Sequence, residues 1–132
     1  TVLDDPDAGE RGVVERVILC SGKVYYDLRA EREKRAERRA ALVRVEQLYP
    51  FPDSELAQRI SAFPAAKEIV WAQEEPRNMG AWSFVEPLLA ELLARGPSLR
   101  YVGRVASASP ATGNASVHKK ELEALLAEAF AF

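Results

Sequence analysis

Two runs, Arg16-Val17-Ile18-Leu19-Cys20 and Ala41-Leu42-Val43-Arg44-Val45, constrain this chain most. Each is nearly continuously apolar instead of alternating, which is the pattern of a strand covered on both faces. A sheet buried on both sides needs helices above and below it, so these runs point to a layered α/β fold. The second run ends abruptly in Glu46-Gln47-Leu48-Tyr49-Pro50-Phe51-Pro52. The two prolines there forbid both more strand and an immediate helix. A carboxylate, an amide and a phenol are left at the strand's carboxyl end. In open α/β sheets, ligands and partners are met at that edge.

The rest of the chain repeats this plan. Residues 1–12 hold Asp4, Asp5, Asp7 and Glu10 with Pro6, Gly9 and Gly12, a composition that predicts a solvated acidic linker or arm. The folded domain is then expected over 13–132. A strand over Val13–Cys20 is followed by the turn Ser21-Gly22-Lys23, where Ser21 is placed to cap a helix. That helix is predicted from Lys23 to Arg39, with Val24, Tyr25 and Leu28 inward and a charge-dense end. Within that end Glu31 and Arg35 are spaced for an i,i+4 pair. The strand over Ala41–Leu48 leads to a helix from Asp53, with Leu56, Ile60 and Phe63 on one face. Ala66–Ala72 is predicted as a strand that exits into Gln73-Glu74-Glu75-Pro76. A helix over Trp82–Ala94 follows and is stopped by Gly96-Pro97. Arg100 and Tyr101 make Leu99–Arg104 read as an edge strand. A small, polar loop over 105–116 precedes a last helix over Val117–Ala129, capped by Asn114 or Ser116. The order βαβαβαβα predicts three layers, with helices on both faces of the sheet.

Composition narrows the function classes. At 132 residues the chain suits one domain, and 48% hydrophobic residues supply a core. Eighteen cations against 20 anions give a net charge of −2, which offers no general attraction to nucleic acid or membrane. The single cysteine, Cys20, excludes an internal disulfide and suits a reducing, cytoplasmic setting. No apolar run reaches the roughly 20 residues of a membrane helix, and the acidic start carries no signal-peptide pattern.

The search for chemistry finds little. His118 and Cys20 are single residues of their kind, with no zinc-site spacing. Cys20 lies in an apolar run, where cysteine is usually an inert small hydrophobe. Ser21-Gly22-Lys23 sits at a strand–helix turn but lacks the remaining glycines of a nucleotide loop. Glu74 and Glu75 are adjacent in extended chain and point to opposite sides, so they form no acid–base pair with each other. Glu46 and Glu74 would be neighbours if their strands were adjacent. Salt links to Arg44, Arg77 or Arg104 are the preferred reading. The residues alone define an α/β domain with decorated strand ends and no self-sufficient catalytic set.

Four longer stretches carry a resemblance. They are Leu19-Cys20-Ser21-Gly22-Lys23-Val24-Tyr25-Tyr26; Val45-Glu46-Gln47-Leu48-Tyr49-Pro50-Phe51-Pro52; Trp71-Ala72-Gln73-Glu74-Glu75-Pro76-Arg77-Asn78-Met79-Gly80-Ala81-Trp82; and Arg100-Tyr101-Val102-Gly103-Arg104 on to Ser107-Ala108-Ser109-Pro110-Ala111-Thr112-Gly113. In that order they resemble the C-terminal domain of the thiamine-dependent 2-oxoglutarate dehydrogenases. The resemblance implies a transketolase C-terminal-type fold, three-layer α/β/α with a mixed, mostly parallel sheet. It implies a parent enzyme that decarboxylates 2-oxoglutarate on thiamine diphosphate with magnesium. That enzyme would pass the succinyl group to a lipoyl arm of the dihydrolipoyl succinyltransferase component in the citric acid cycle. This segment would bind neither cofactor and carry no catalytic residue. Its work would be homodimer packing, support of the active-site domains, and effector binding; Trp71, Trp82 and Phe84 read equally as an apolar contact for that packing or as core. Gln47 matches the glutamine with which some family members bind acetyl-CoA. The two basic residues that follow it in those members are Ser54 and Glu55 here, and a carboxylate at that place repels a phosphate. The alternatives are a stand-alone nucleotide- or effector-binding module of the same fold, a pure assembly domain, and a parent acting on 2-oxoadipate.

Overall fold

The computed structural model describes residues 1–104 and 115–132. The elements are β1 (Val2–Leu3), β2 (Arg16–Cys20), α1 (Val24–Arg35), β3 (Ala40–Val45), α2 (Asp53–Ser61), β4 (Glu68–Pro76), α3 (Trp82–Leu92), β5 (Ser98–Arg104) and α4 (Ala115–Ala129). One five-stranded sheet has the order β1-β3-β2-β4-β5. β2, β3, β4 and β5 run parallel, and β1 is antiparallel to β3. The sheet is therefore mixed and mostly parallel, and β5 is an edge strand as expected.

The period of the strands sorts the core into two layers. Val17 and Leu19 of β2 join Val43, Ile69 and Trp71 under α2 and α3, where Leu56, Ile60, Val85 and Leu89 close the layer. Ile18 and Cys20 point the other way, with Leu42, Val70 and Val102, beneath Leu28 of α1 and Leu125 and Ala129 of α4. β2 leads through α1 to β3 on one side, while β4 leads through α3 to β5 on the other. The carboxyl ends of β2 and β4 therefore flank the place where the chain reverses its direction of growth across the sheet.

The first twelve residues are not a solvated arm. Val2 is buried against the sheet and sits opposite Val45. Asp5 is also buried; its carboxylate accepts hydrogen bonds from Arg32 and from the Leu42 amide at 2.9 Å. Arg32 donates as well to the Ala40 carbonyl at 3.3 Å. Acidic composition predicts solvation only where no buried cation waits, and Arg32 of α1 is such a cation.

Element ends also moved. α1 stops at Arg35, not Arg39, because Ala36 takes a left-handed conformation (φ 51°) and turns the chain toward β3. No side chain caps α1 or α2; Lys23 and Pro52 hold the capping positions, so Ser21, Asp53 and Ser54 do not serve as caps. β4 runs on through Gln73, Glu74 and Glu75 to Pro76. The Glu31–Arg35 pair forms, at 2.6 Å. The small loop expected over 105–116, including Asn114 as a cap, lies almost wholly outside the described residues.

Candidate functional site at the carboxyl edge of the sheet

Three structures stand on the carboxyl edge. The first is the β4–α3 connection, organised by one buried amide. The Gln73 oxygen accepts from the Trp71 indole N–H at 2.9 Å and from the Trp82 amide at 3.0 Å. Its nitrogen donates to the carbonyls of Glu75, Pro76 and Met79 at 3.1, 3.0 and 2.8 Å. Gly80 (φ 64°) completes the turn, where a Cβ would lie 3.0 Å from the Glu75 Cβ. Tyr101 closes the side: its hydroxyl donates to the Arg104 carbonyl at 2.5 Å, and burial pushes its pKa up to about 12. Trp71 and Trp82 are core residues of this arrangement, so of the aromatic trio assigned to packing only Phe84 reaches the surface.

The second is a cluster at the crevice between β2 and β4. The Lys23 Nζ donates to both carboxylate oxygens of Glu74, at 2.9 and 3.1 Å, and this bond raises the Lys23 pKa. His118 Nε2 lies 3.8 Å from the other side of the same carboxylate. Arg104 pairs with Glu121 of α4. Lys23, Glu74, Arg104 and His118 border an open cavity of about 250 Å³ that also touches Ser21 and Glu75. The ionic groups named satisfy one another, which is the pattern of a tie between β4, α1 and α4. Glu46 and Glu74 are not neighbours, because β2 lies between β3 and β4. Glu46 pairs with Arg44 at 3.0 Å instead.

The third is the loop after β3. Gln47 is exposed, and its amide donates to the Tyr49 carbonyl at 3.3 Å. Ser54 and Glu55 follow at the start of α2, and both are exposed. The Glu55 carboxylate accepts from the Val2 amide at 3.1 Å, so it helps to hold β1. Tyr49, the phenol expected at this strand end, and Tyr26 are both exposed.

Nucleophilic and metal chemistry finds no support here. Cys20 is fully buried, and desolvation pushes its thiol pKa up to about 12. Among the described residues, no group of three histidine, cysteine or acidic side chains has the geometry to hold a metal ion. None of their helices is long and apolar enough to cross a membrane.

Fold and edge together define a three-layer α/β domain whose carboxyl edge is held rigid by an amide network and internal ion pairs. The comparisons sharpen this. The family model described as 2-oxoglutarate dehydrogenase C-terminal matches residues 1–130, and the chain belongs to that family. It is 48% identical over 131 residues to the 2-oxoglutarate dehydrogenase E1 component of Cupriavidus necator, covering 99% of this chain and 14% of that relative. It is 55% identical over 120 residues to the proteins of the same name from Brucella anthropi and Brucella ovis, covering 88% of this chain and 12% of each. The chain thus spans only a small part of the length of these relatives.

Proposed function

We propose that the chain works as the C-terminal, non-catalytic domain of a cytoplasmic 2-oxoglutarate dehydrogenase. The parent would oxidatively decarboxylate 2-oxoglutarate in the citric acid cycle and pass the succinyl group to the lipoyl arm of a dihydrolipoyl succinyltransferase. The observation that carries this reading is the match of residues 1–130 to the family, joined to 48–55% identity with proteins named as E1 components. Thiamine diphosphate and magnesium would be cofactors of that parent; among the described residues no group of three or more histidine, cysteine or acidic side chains could hold a metal ion. Those cofactors would be held by the remainder of the parent, and no chemical step is routed through this domain. Its share is to pack within the homodimer and support the active-site domains.

Gln47 is the proposed effector contact. It is exposed and donates to a backbone carbonyl of its own loop, which suits a residue that meets a ligand. Ser54 and Glu55 supply no cation beside it, so acetyl-CoA should bind weakly. The test is reduction of an artificial acceptor by the full-length parent, with thiamine diphosphate, magnesium and 2-oxoglutarate, titrated with acetyl-CoA. Turnover with little activation is expected, and Gln47→Ala should abolish what activation there is. Strong activation would overturn the reading of Ser54 and Glu55. Turnover of 2-oxoadipate but not 2-oxoglutarate would overturn the substrate.

A further inference from the structure

Between the first residue of α2 and the second half of α3 lies a cavity of about 360 Å³, lined by Asp53, Leu88, Glu91 and Leu92. The inner face of α3 is already used: Trp82, Val85 and Leu89 are buried in the core. Phe84, Leu88 and Leu92 fall at i, i+4 and i+8 and form a second apolar strip beside that face. Phe84 is 42% exposed, and Leu88 and Leu92 are half-buried. At about 1.5 Å per residue the strip is about 12 Å long, or roughly two turns of a helix laid along it.

The carboxylates say what kind of partner suits this strip. Asp53 on the α2 side and Glu91 on the α3 side are both exposed. Among the described residues neither is ion-paired, although Arg95 follows Glu91 by four residues. Elsewhere the chain pairs its carboxylates readily: Asp4, Asp5, Glu31, Glu37, Glu68 and Glu74 each hold a cation. An apolar strip flanked by unpaired carboxylates complements a helix whose apolar face is flanked by lysine or arginine. A second copy is a poor fit. Two such faces related by a twofold axis would set Asp53 and Glu91 of one against those of the other, and like charges repel.

The geometry points to the groove between α2 and α3 as the docking site for a basic, amphipathic helical segment of a separate protein. Such docking does not depend on the activity of the parent. The test measures, by fluorescence anisotropy, the binding of labelled helical peptides to the full-length parent. One peptide carries leucines at i, i+4 and i+8 flanked by lysines, and the other has glutamate at every lysine position. The lysine peptide should bind and the glutamate peptide should not. Asp53→Asn combined with Glu91→Gln should weaken the lysine peptide about fivefold, and raised salt should narrow that difference. Phe84→Ser should weaken it as well. Equal binding of the two peptides, binding unchanged by either variant, or no binding at all would each overturn the proposal. A halving of the parent's mass in light scattering with Phe84→Ser would show a second copy on this face and would overturn it too. Turnover of 2-oxoglutarate by the unaltered parent is measured alongside. Its absence would sink the assigned activity while leaving variant-sensitive peptide binding as support for the groove.

Discussion

A primary amide both donates and accepts, and Gln73 uses both halves to fix a loop that no other side chain reaches in the same way. Its oxygen serves an indole and a backbone amide, and its nitrogen serves three carbonyls. Gln73→Leu keeps much of the volume but takes this partner from the Trp71 indole, the Trp82 amide and the Met79 carbonyl, while the Glu75 carbonyl keeps the Tyr101 hydroxyl and the Pro76 carbonyl keeps the Met79 amide. Each unsatisfied group costs about 1–3 kcal/mol, in part relieved by relaxation, so a loss of about 2–4 kcal/mol is expected in urea unfolding. Arg32 poses a sharper case. Its partner Asp5 has no exposed side-chain surface. Arg32→Met would leave a buried carboxylate uncompensated, at a cost of about 3–5 kcal/mol. Pairing it with Asp5→Ala removes the stranded charge, so the double variant should be more stable than the sum of the two single losses predicts. Additive losses would show that the pair contributes nothing as a pair. Cys20, with its pKa near 12, should stay unmodified by a thiol reagent at pH 8 in the folded domain and react fully in denaturant.

At the scale of elements, the strongest sequence signals were the ones with the simplest physical cause. Arg16–Cys20 and Ala41–Val45 are buried on both faces, so their own residues declare them as strands. β1 is different. Two residues in an acidic stretch form a strand only because β3 offers an open edge, Glu55 accepts from the Val2 amide, and Arg32 waits for Asp5. No local pattern carries that information. The overlong prediction for α1 has a similar origin. Its charged end has good helix propensity, but the chain must turn at Ala36 to start β3. Ala36 pays for the turn with a left-handed backbone (φ 51°). Ala36→Gly removes that strain while loosening the unfolded chain, and a net gain of about 0.5–1 kcal/mol is expected. A loss in thermal or urea unfolding would mean that the Ala36 methyl group stabilises the turn. The carboxyl edge was half legible. Its polar residues could be named from strand ends and from the resemblance, but which of them are buried partners and which face outward is set by tertiary packing. Gln73 beside Trp71 was the available sign of an internal amide; the prolines after β3 marked Tyr49 as a strand-end residue, while nothing local marked Tyr26 as exposed.

For the molecule as a whole, the amino edge of the sheet is where separate layers are tied together. Glu68 of β4 stands between Arg16 of β2 and Arg100 of β5, at 2.5 and 2.8 Å. Arg16 also donates to the Ala129 carbonyl at 2.8 Å, and Arg100 reaches Glu128 at 3.3 Å. One carboxylate thus connects three strands and, through its two arginines, the last helix. Burial acts to raise the Glu68 pKa, but the hydrogen bonds and charges of Arg100 and Arg16 outweigh it and hold the group below its ordinary value of 4.5. A carboxylate whose pKa is lower folded than unfolded binds fewer protons when folded. Its stabilisation is therefore complete above about pH 4.5 and is lost as pH falls through the lower, folded value. Glu68→Gln keeps the shape and one acceptor but removes the charge. It should cost about 1–2 kcal/mol at pH 7 and make stability less steeply dependent on pH below 4.5 than in the unaltered protein. Urea unfolding of both proteins between pH 7 and pH 3 decides it. Parallel curves would mean that acid sensitivity resides in other carboxylates. Converging curves would make the Arg16–Glu68–Arg100 bridge the pH-dependent tie between the sheet and α4.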